Sequence, residues 1–111
     1  MTTPDTRYPV SRFAPKDRLT PDERTALIRQ IEEMPVHLVQ AVSGLSEVQL
    51  NTPYRDGGWT VRQVVHHLAD SHMNAYIRFR LAVTEENPIV KPYHEKLWSE
   101  LIDSRTAPID L

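Results

Sequence analysis

The amino-acid sequence predicts a small all-α protein, and three observations support that fold class. Apolar residues recur at three- and four-residue spacing over two long segments, 20–43 and 60–85. Each segment begins with a threonine followed three residues later by glutamate or glutamine, a pattern that caps a helix. No segment alternates convincingly with a period of two, so no strand is predicted. With 111 residues, 40% of them hydrophobic, we expect a single domain over 1–111 with one modest core.

The N-terminal part is expected to consist of an extended arm and a kinked helix. Prolines at three positions disfavour a helix over 1–19. Thr20 and Pro21 then form a helix start, and a helix over 20–43 follows. Pro35 lies inside this helix, where it removes one hydrogen bond and clashes with the preceding turn. We therefore expect a kink or a break near its middle.

The C-terminal part is expected to be dominated by a longer helix. A single short turn is predicted over 46–50, and a loop rich in turn-forming residues follows over 51–58. Thr60 caps the principal helix, 60–85, which is the longest periodic segment in the sequence. After an extended stretch, residues 94–101 are expected to form a short helix that precedes a polar tail.

The composition excludes several classes of function. Thirteen basic and fifteen acidic side chains give a net charge of −2, which provides no basic surface for nucleic acid. No apolar window is long enough for a membrane span, and the N-terminus lacks the pattern of a signal peptide. Without cysteine, histidine and carboxylate side chains are left as metal ligands. We therefore expect a cytoplasmic protein with no nucleic-acid or membrane partner.

Six polar residues lie between the two apolar faces of the principal helix, and we call them the polar strip: Gln63, His67, Asp70, Ser71, Asn74 and Arg78. Burying such groups is costly unless partners satisfy them, so a strip confined to a groove indicates a function. There His67 could bind a metal ion, with Asp70, Ser71 or Asn74 orienting the ligand or a bound water. The alternative is that the strip faces water. His67 is a single ligand, whereas a catalytic zinc-type site uses three protein ligands.

The other histidines give no independent signal of a metal site. His66 is expected to pack with one ring nitrogen hydrogen-bonded, and His72 to lie in a core or an interface. His37 and His94 lie outside the principal helix, and no HxxxH or HExxH spacing occurs. Trp59, just before the helix cap, is expected to make a hydrophobic contact at the end of the helix rather than to act in catalysis.

The segment 54–72, which reads YRDGGWTVRQVVHHLADSH, resembles the DinB superfamily and in particular its YfiT-like branch of metal-dependent hydrolases. The resemblance continues through MNAYIRFR at 73–80 and through the TEENP and KPY stretches that follow. The arm sequence RYPV at 7–10 is also similar to the N-terminus of that branch. The resemblance therefore covers nearly the whole chain.

The resemblance implies a four-helix bundle of up-down-down-up topology that is often a homodimer and binds nickel or zinc through three histidines. By the match of motifs, the first ligand is His67. The other two ligands of the family come from an HxxxH pair on a later helix, and this sequence contains no such pair. The resemblance thus implies an N-terminal portion, truncated before the last helix, that binds a metal weakly or not at all by itself.

Three functions remain open at this point. The resemblance implies a metal-dependent hydrolase in which an activated water attacks a small-molecule substrate, with Asp70 or Asn74 positioning the nucleophile. It also implies the related transfer of a low-molecular-weight thiol of the bacillithiol type to an electrophile, again at a metal. The third reading is a truncated, non-catalytic helical module that binds a partner or a second copy of itself through an exposed apolar face.

Overall fold

The computed structural model describes residues 5–110, and within that range the chain is all-α, as predicted. Its helices are α1 (Pro21–Val42), α2 (Glu47–Leu50), α3 (Val61–Thr84), α4 (Glu95–Ser99) and α5 (Ile102–Thr106). An isolated antiparallel bridge joins Pro53 and Thr60, and no strand occurs in the described range. The first four residues of the predicted arm lie outside the described residues. Leu111 also lies outside the described residues, so the prediction that the domain is incomplete at its C-terminus stays a prediction.

The chain divides into two compact units, one extending up to Ser46 and the other beginning at Glu47. The first unit contains the arm, which has neither helix nor strand over 5–19, and α1. The Thr20 side chain accepts a hydrogen bond from the Glu23 amide, and the Glu23 carboxylate accepts one from the Thr20 amide. This reciprocal capping satisfies two amides that have no partner inside a helix. The single-domain organisation over 1–111 stays a prediction.

The first helix is not broken at Pro35, and the kink that the sequence indicates there stays a prediction. Pro35 lies inside α1, which continues without interruption from Pro21 to Val42. A proline costs a helix one main-chain hydrogen bond, but the turns on either side of Pro35 remain helical. The boundaries of α1 thus lie within one residue of the predicted segment, 20–43.

The second unit is built on α3, whose start agrees with the predicted capping. The Thr60 side chain accepts from the Gln63 amide, and the Gln63 side-chain oxygen accepts from the Thr60 amide at 2.9 Å. The amide nitrogen of the same Gln63 side chain donates to the Ser99 carbonyl at 2.8 Å. One side chain therefore caps α3 and also fastens the end of α4 to it.

The short helices α2, α4 and α5 all contact α3. The sequence predicted α2 as a single turn and α4 within 94–101, but it gave no indication of α5, which occupies the expected polar tail. Arg62, at the start of α3, is only 2% exposed and bridges these parts of the unit. Its guanidinium donates to Asn51 Oδ1 at 3.1 Å, to the Ala107 carbonyl at 2.8 Å, and to the Glu47 carboxylate.

Little apolar surface is buried within the described range, where Leu50 is the single buried hydrophobic residue. Large apolar side chains on α3 remain more than half exposed, and we call this set the apolar face of α3: Met73, Tyr76, Ile77, Phe79 and Val83. None of the helices within residues 5–110 combines the length and the hydrophobicity that a membrane span requires.

Candidate functional site

The polar strip of α3 is half-buried along its whole length. All six of its side chains are of intermediate exposure, from Gln63 near the first turn to Arg78 near the last. The alternative in which the strip faces bulk water is therefore not what the structure shows. The strip is shielded because α4 and α5 pack on α3 and because the segment before α4 returns alongside it.

His67 lies in the polar strip with its ring against Trp59. The two ring centroids are 4.8 Å apart, and the planes are inclined at 55°. The loop before α3 places the indole there: the Tyr54 amide donates to the Trp59 carbonyl at 3.0 Å, and Gly57 adopts a φ of +71°, which favours glycine. The ring contact restricts the orientations open to the imidazole.

Sequence reasoning assigned Trp59 a structural role and missed this contact with the candidate ligand. The expected partner of a residue just before a helix cap lies on the first turn, at the fourth helical position. His67 lies almost a turn farther along α3, within reach of a side chain as large as indole. The sequence contained one indication of this contact: Trp59 and His67 are eight residues apart, roughly two helical turns.

Asp70 is the residue of the polar strip whose protonation is most affected by its surroundings. Burial and the nearby charge of Asp103 raise the pKa of its carboxyl above the ordinary value of 3.8. His67 and His66 act in the opposite direction, which shows that both imidazoles lie within electrostatic range. A carboxyl whose pKa is raised holds its proton up to a higher pH than an ordinary aspartate does, which favours a role in proton exchange.

Asn74, the other predicted catalytic residue, is bound to its own helix. Its side-chain nitrogen donates to the Asp70 main-chain carbonyl at 2.8 Å, one turn earlier. Its amide oxygen is the group left to accept a hydrogen bond from a substrate or a water. The structure thus holds Asn74 next to Asp70 along the strip, and the catalytic roles of both residues stay predictions.

Tyr93, in the segment before α4, also reaches the polar strip. Burial and the negative charge of Glu95 raise the pKa of its hydroxyl above 10.0, while Ser71 acts in the opposite direction. The buried hydroxyl and the nearby Ser71 do not attain the geometry of a hydrogen bond, and no other residue within 5–110 supplies one. Buried polar groups in native proteins nearly always have a hydrogen-bond partner, so a water or a ligand in the strip is expected to pair with this hydroxyl.

The residues present do not form a complete metal site. No group of three histidine, cysteine, aspartate or glutamate side chains within residues 5–110 is arranged to hold a metal ion. The Nε2 of His66 is hydrogen-bonded to the Ala107 carbonyl at 3.0 Å, so this nitrogen is not available to a metal. The sequence analysis expected one ring nitrogen of His66 to be hydrogen-bonded. His72 is exposed rather than in a core, and His37 and His94 lie on or next to other helices. His67 therefore remains a predicted ligand that would require others.

Comparison with known proteins agrees with this description of the second unit and extends it. A family model of the DinB superfamily matches residues 30–109. The "Putative metal-dependent hydrolase YfiT" of Bacillus subtilis (strain 168) is 55% identical over 107 residues, which are 96% of this chain and 60% of the relative. A "Putative metal-dependent hydrolase" of Bacillus cereus (strain 03BB102) is 53% identical over 107 residues, 96% of this chain and 61% of the relative.

A solved structure shows the same fold. YfiT from Bacillus subtilis, described as "a probable metal-dependent hydrolase with an unusual four-helix bundle topology", superposes with a TM-score of 0.91 at 54% sequence identity. The match covers 95% of this chain and 60% of that one. The chain therefore spans about 60% of the length of the curated relatives it matches. The predicted all-α fold of the YfiT type is confirmed.

The family model covers most of the chain, and the relatives are more than half identical to it over nearly its entire length. The helix that carries the polar strip, and with it His67 and Asp70, lies wholly inside the matched residues 30–109. This chain belongs to the DinB superfamily.

Proposed function

We propose that this chain is part of a metal-dependent hydrolase that acts on a small-molecule substrate. The observation that carries the proposal is its identity of 55% over 107 residues with a protein named for that activity. Because His67 is the sole histidine of the polar strip, we propose it as one metal ligand. The further ligands then come from residues outside these 111. Nickel and zinc are the proposed metals, since imidazole nitrogen suits both.

The contribution of this chain's own residues can be stated separately from the metal. Trp59 holds the His67 ring, and Asp70, with its raised pKa, is the group placed to accept or hold a proton in the strip. The Asn74 side-chain oxygen is proposed to orient the polar group that exchanges this proton. The metal, when bound, would supply a nucleophile at neutral pH from a coordinated water or thiol.

The experiment that tests the proposal completes the protein. A chimera would join this chain to the 40% of Bacillus subtilis YfiT that the alignment leaves unmatched. We expect the chimera loaded with zinc or nickel to hydrolyse members of an ester and amide panel, and His67→Ala to lower the rate at least about a hundredfold. His72→Ala is the matched control because His72 is an exposed histidine of the same helix.

Two results would redirect the proposal. Thiol-dependent conjugation to an electrophile without hydrolysis would assign the S-transferase activity instead. Full turnover and metal content in folded His67→Ala chimera would contradict the role of His67.

A specific observation also favours a non-catalytic, associating module as a second candidate. The apolar face of α3 is exposed, and Leu50 is the single buried apolar residue within 5–110. Exposed apolar surface of this kind is typical of surfaces that bind another protein. A second copy of the chain is the partner we propose, and self-association is compatible with either function.

A further inference from the structure

A groove of about 440 Å³ lies between the second half of α3 and the segment that leads into α4. We call it the α3 groove, and its walls include Asn74, Ile77, Arg78, Lys91, Tyr93 and Trp98. It begins one turn beyond Asp70, and it contains none of the predicted metal ligands. Its size is within the range of pockets that take small organic molecules.

The charge of the α3 groove is opposite in sign to that of the whole chain. Arg78 and Lys91 line it, and no acidic side chain does. No acidic side chain within residues 5–110 forms an ion pair with either cation. The whole chain, by contrast, has a net charge of −2. Glu95 and Asp70 lie near Tyr93 but do not line the groove, so Arg78 and Lys91 are the charged side chains that an anion would meet there.

Arg78 makes one hydrogen bond across the groove. Its Nη2 donates to the Lys91 main-chain carbonyl at 3.2 Å, across the groove from α3 to the returning segment. The side chain is half-buried, and this tie uses one of the five N–H donors of the guanidinium. The remaining donors keep the planar fork that matches a carboxylate in a bidentate pair.

Besides Arg78 and Lys91, Asn74 and His94 are the polar side chains of the lining, and the rest of the groove is apolar or aromatic. The Trp98 and Tyr93 rings contact each other in a tilted arrangement, with centroids 4.7 Å apart and planes inclined at 56°. Ile77 and Pro92 line the groove beside this pair. Such surfaces favour the flat or aliphatic body of an organic molecule over a hydrated inorganic ion.

We propose that the α3 groove binds a small organic carboxylate, with the carboxylate at Arg78 and an apolar or aromatic body against Trp98. A singly charged carboxylate fits better than a phosphate ester because a doubly charged group loses more hydration in a groove with apolar walls. The proposal rests on residues of this chain alone and does not depend on metal binding or hydrolysis.

The test compares a carboxylate with its neutral analogue on the wild-type chain. 3-Phenylpropionate, 3-phenylpropionamide and phenyl phosphate would be titrated into ¹⁵N-labelled protein, and the two tryptophan indole signals would be followed by NMR. We expect 3-phenylpropionate to bind with a Kd on the order of 1 mM or lower and to shift the Trp98 indole signal. The Trp59 indole is an internal control because it lies against His67 and not in the α3 groove.

The amide should bind at least about tenfold more weakly than the carboxylate, since it lacks the charge that pairs with Arg78. Arg78→Gln should weaken binding of the carboxylate by a similar factor. Arg80→Gln is the matched control: Arg80 lies two residues away on α3, over the Tyr76 ring and outside the groove, so binding should not change.

Several results would overturn the proposal. Equal binding of the carboxylate and the amide would show that the negative charge of the ligand does not contribute to binding. This comparison uses the wild-type chain and so does not depend on the folding of a variant. An unchanged Trp98 signal, or equal effects of Arg78→Gln and Arg80→Gln, would place the ligand elsewhere. Stronger binding of phenyl phosphate than of 3-phenylpropionate would replace the carboxylate by a phosphate ester.

Discussion

The raised pKa of Asp70 predicts how the stability of the folded protein changes with pH. Because its pKa is raised in the folded protein, the folded state holds this proton more tightly than the unfolded state does. Below 3.8, the ordinary value, both states are protonated and Asp70 has no effect on folding. As the pH rises through the raised pKa, ionisation favours the unfolded chain, and stability is lost.

Asp70→Asn is therefore expected to raise the free energy of unfolding at about pH 7 and to leave it nearly unchanged at about pH 3. Urea denaturation at the two pH values measures the difference. Asp56→Asn, at an exposed loop position, controls for the loss of one negative charge. A loss of stability in Asp70→Asn at neutral pH would show that the ionised carboxylate is a net stabilising group.

At the scale of the elements, Arg62 links three separate parts of the second unit. Its side chain is 3% exposed, whereas that of its partner Glu47 is 78% exposed. A neutral substitution therefore leaves Asn51 Oδ1 without its donor and the Ala107 carbonyl with His66 as its remaining partner, but it does not leave a buried carboxylate.

We expect Arg62→Met to lower the free energy of unfolding of the second unit by about 3 kcal/mol. Arg62→Lys should lose an intermediate amount because it keeps the charge but not the planar fork. Urea denaturation provides the measurement, and Arg105→Met at an exposed position of α5 is the control. Equal stability of Arg62→Met and Arg105→Met would contradict the bridging role.

The long helices could be predicted from the sequence, whereas the last short helix, α5, could not. Thr20 with Glu23 and Thr60 with Gln63 marked both long helices, because capping depends on residues three positions apart. Pro35 does not interrupt α1, because the surrounding turns tolerate one missing bond. The five residues of α5 were missed, since a helix that short is stabilised by contacts with α3 and not by its own pattern.

The candidate site also has features that the sequence predicted and features that it did not. The polar strip follows from helical periodicity alone, so His67, Asp70 and Asn74 were found together. The Trp59 contact, the raised pKa of Tyr93 and the tie between Arg78 and Lys91 depend on how the loops return to α3. Spacing along one helix carries no information about such contacts.

At the scale of the whole molecule, the exposed apolar face of α3 should determine how the protein behaves in solution. Phe79 is 66% exposed and Val83 is 81% exposed. Fully burying a side chain such as phenylalanine contributes about 1.5–3 kcal/mol, and each 1.4 kcal/mol corresponds to about a tenfold change in affinity. Burial of these side chains against a second copy is therefore the driving force that we propose for self-association.

We expect sedimentation to show concentration-dependent self-association of the wild-type chain, and Phe79→Ser to weaken it at least about tenfold. Val48→Ser is the control, because Val48 is 79% exposed on α2 and lies outside the apolar face of α3. A wild-type chain that stays monomeric at all concentrations tested would exclude a second copy as the partner.

Ala107 takes part in the fold through its carbonyl oxygen, which accepts hydrogen bonds from both Arg62 and His66. Every amino acid carries that oxygen, so the identity of the residue at 107 is open to evolutionary drift as long as the main chain keeps its path. Position 62 has no such freedom, since no other side chain offers the same fork of donors. Side-chain substitutions at 107 are therefore expected to leave these hydrogen bonds in place, whereas any substitution of Arg62 removes the bond that it makes.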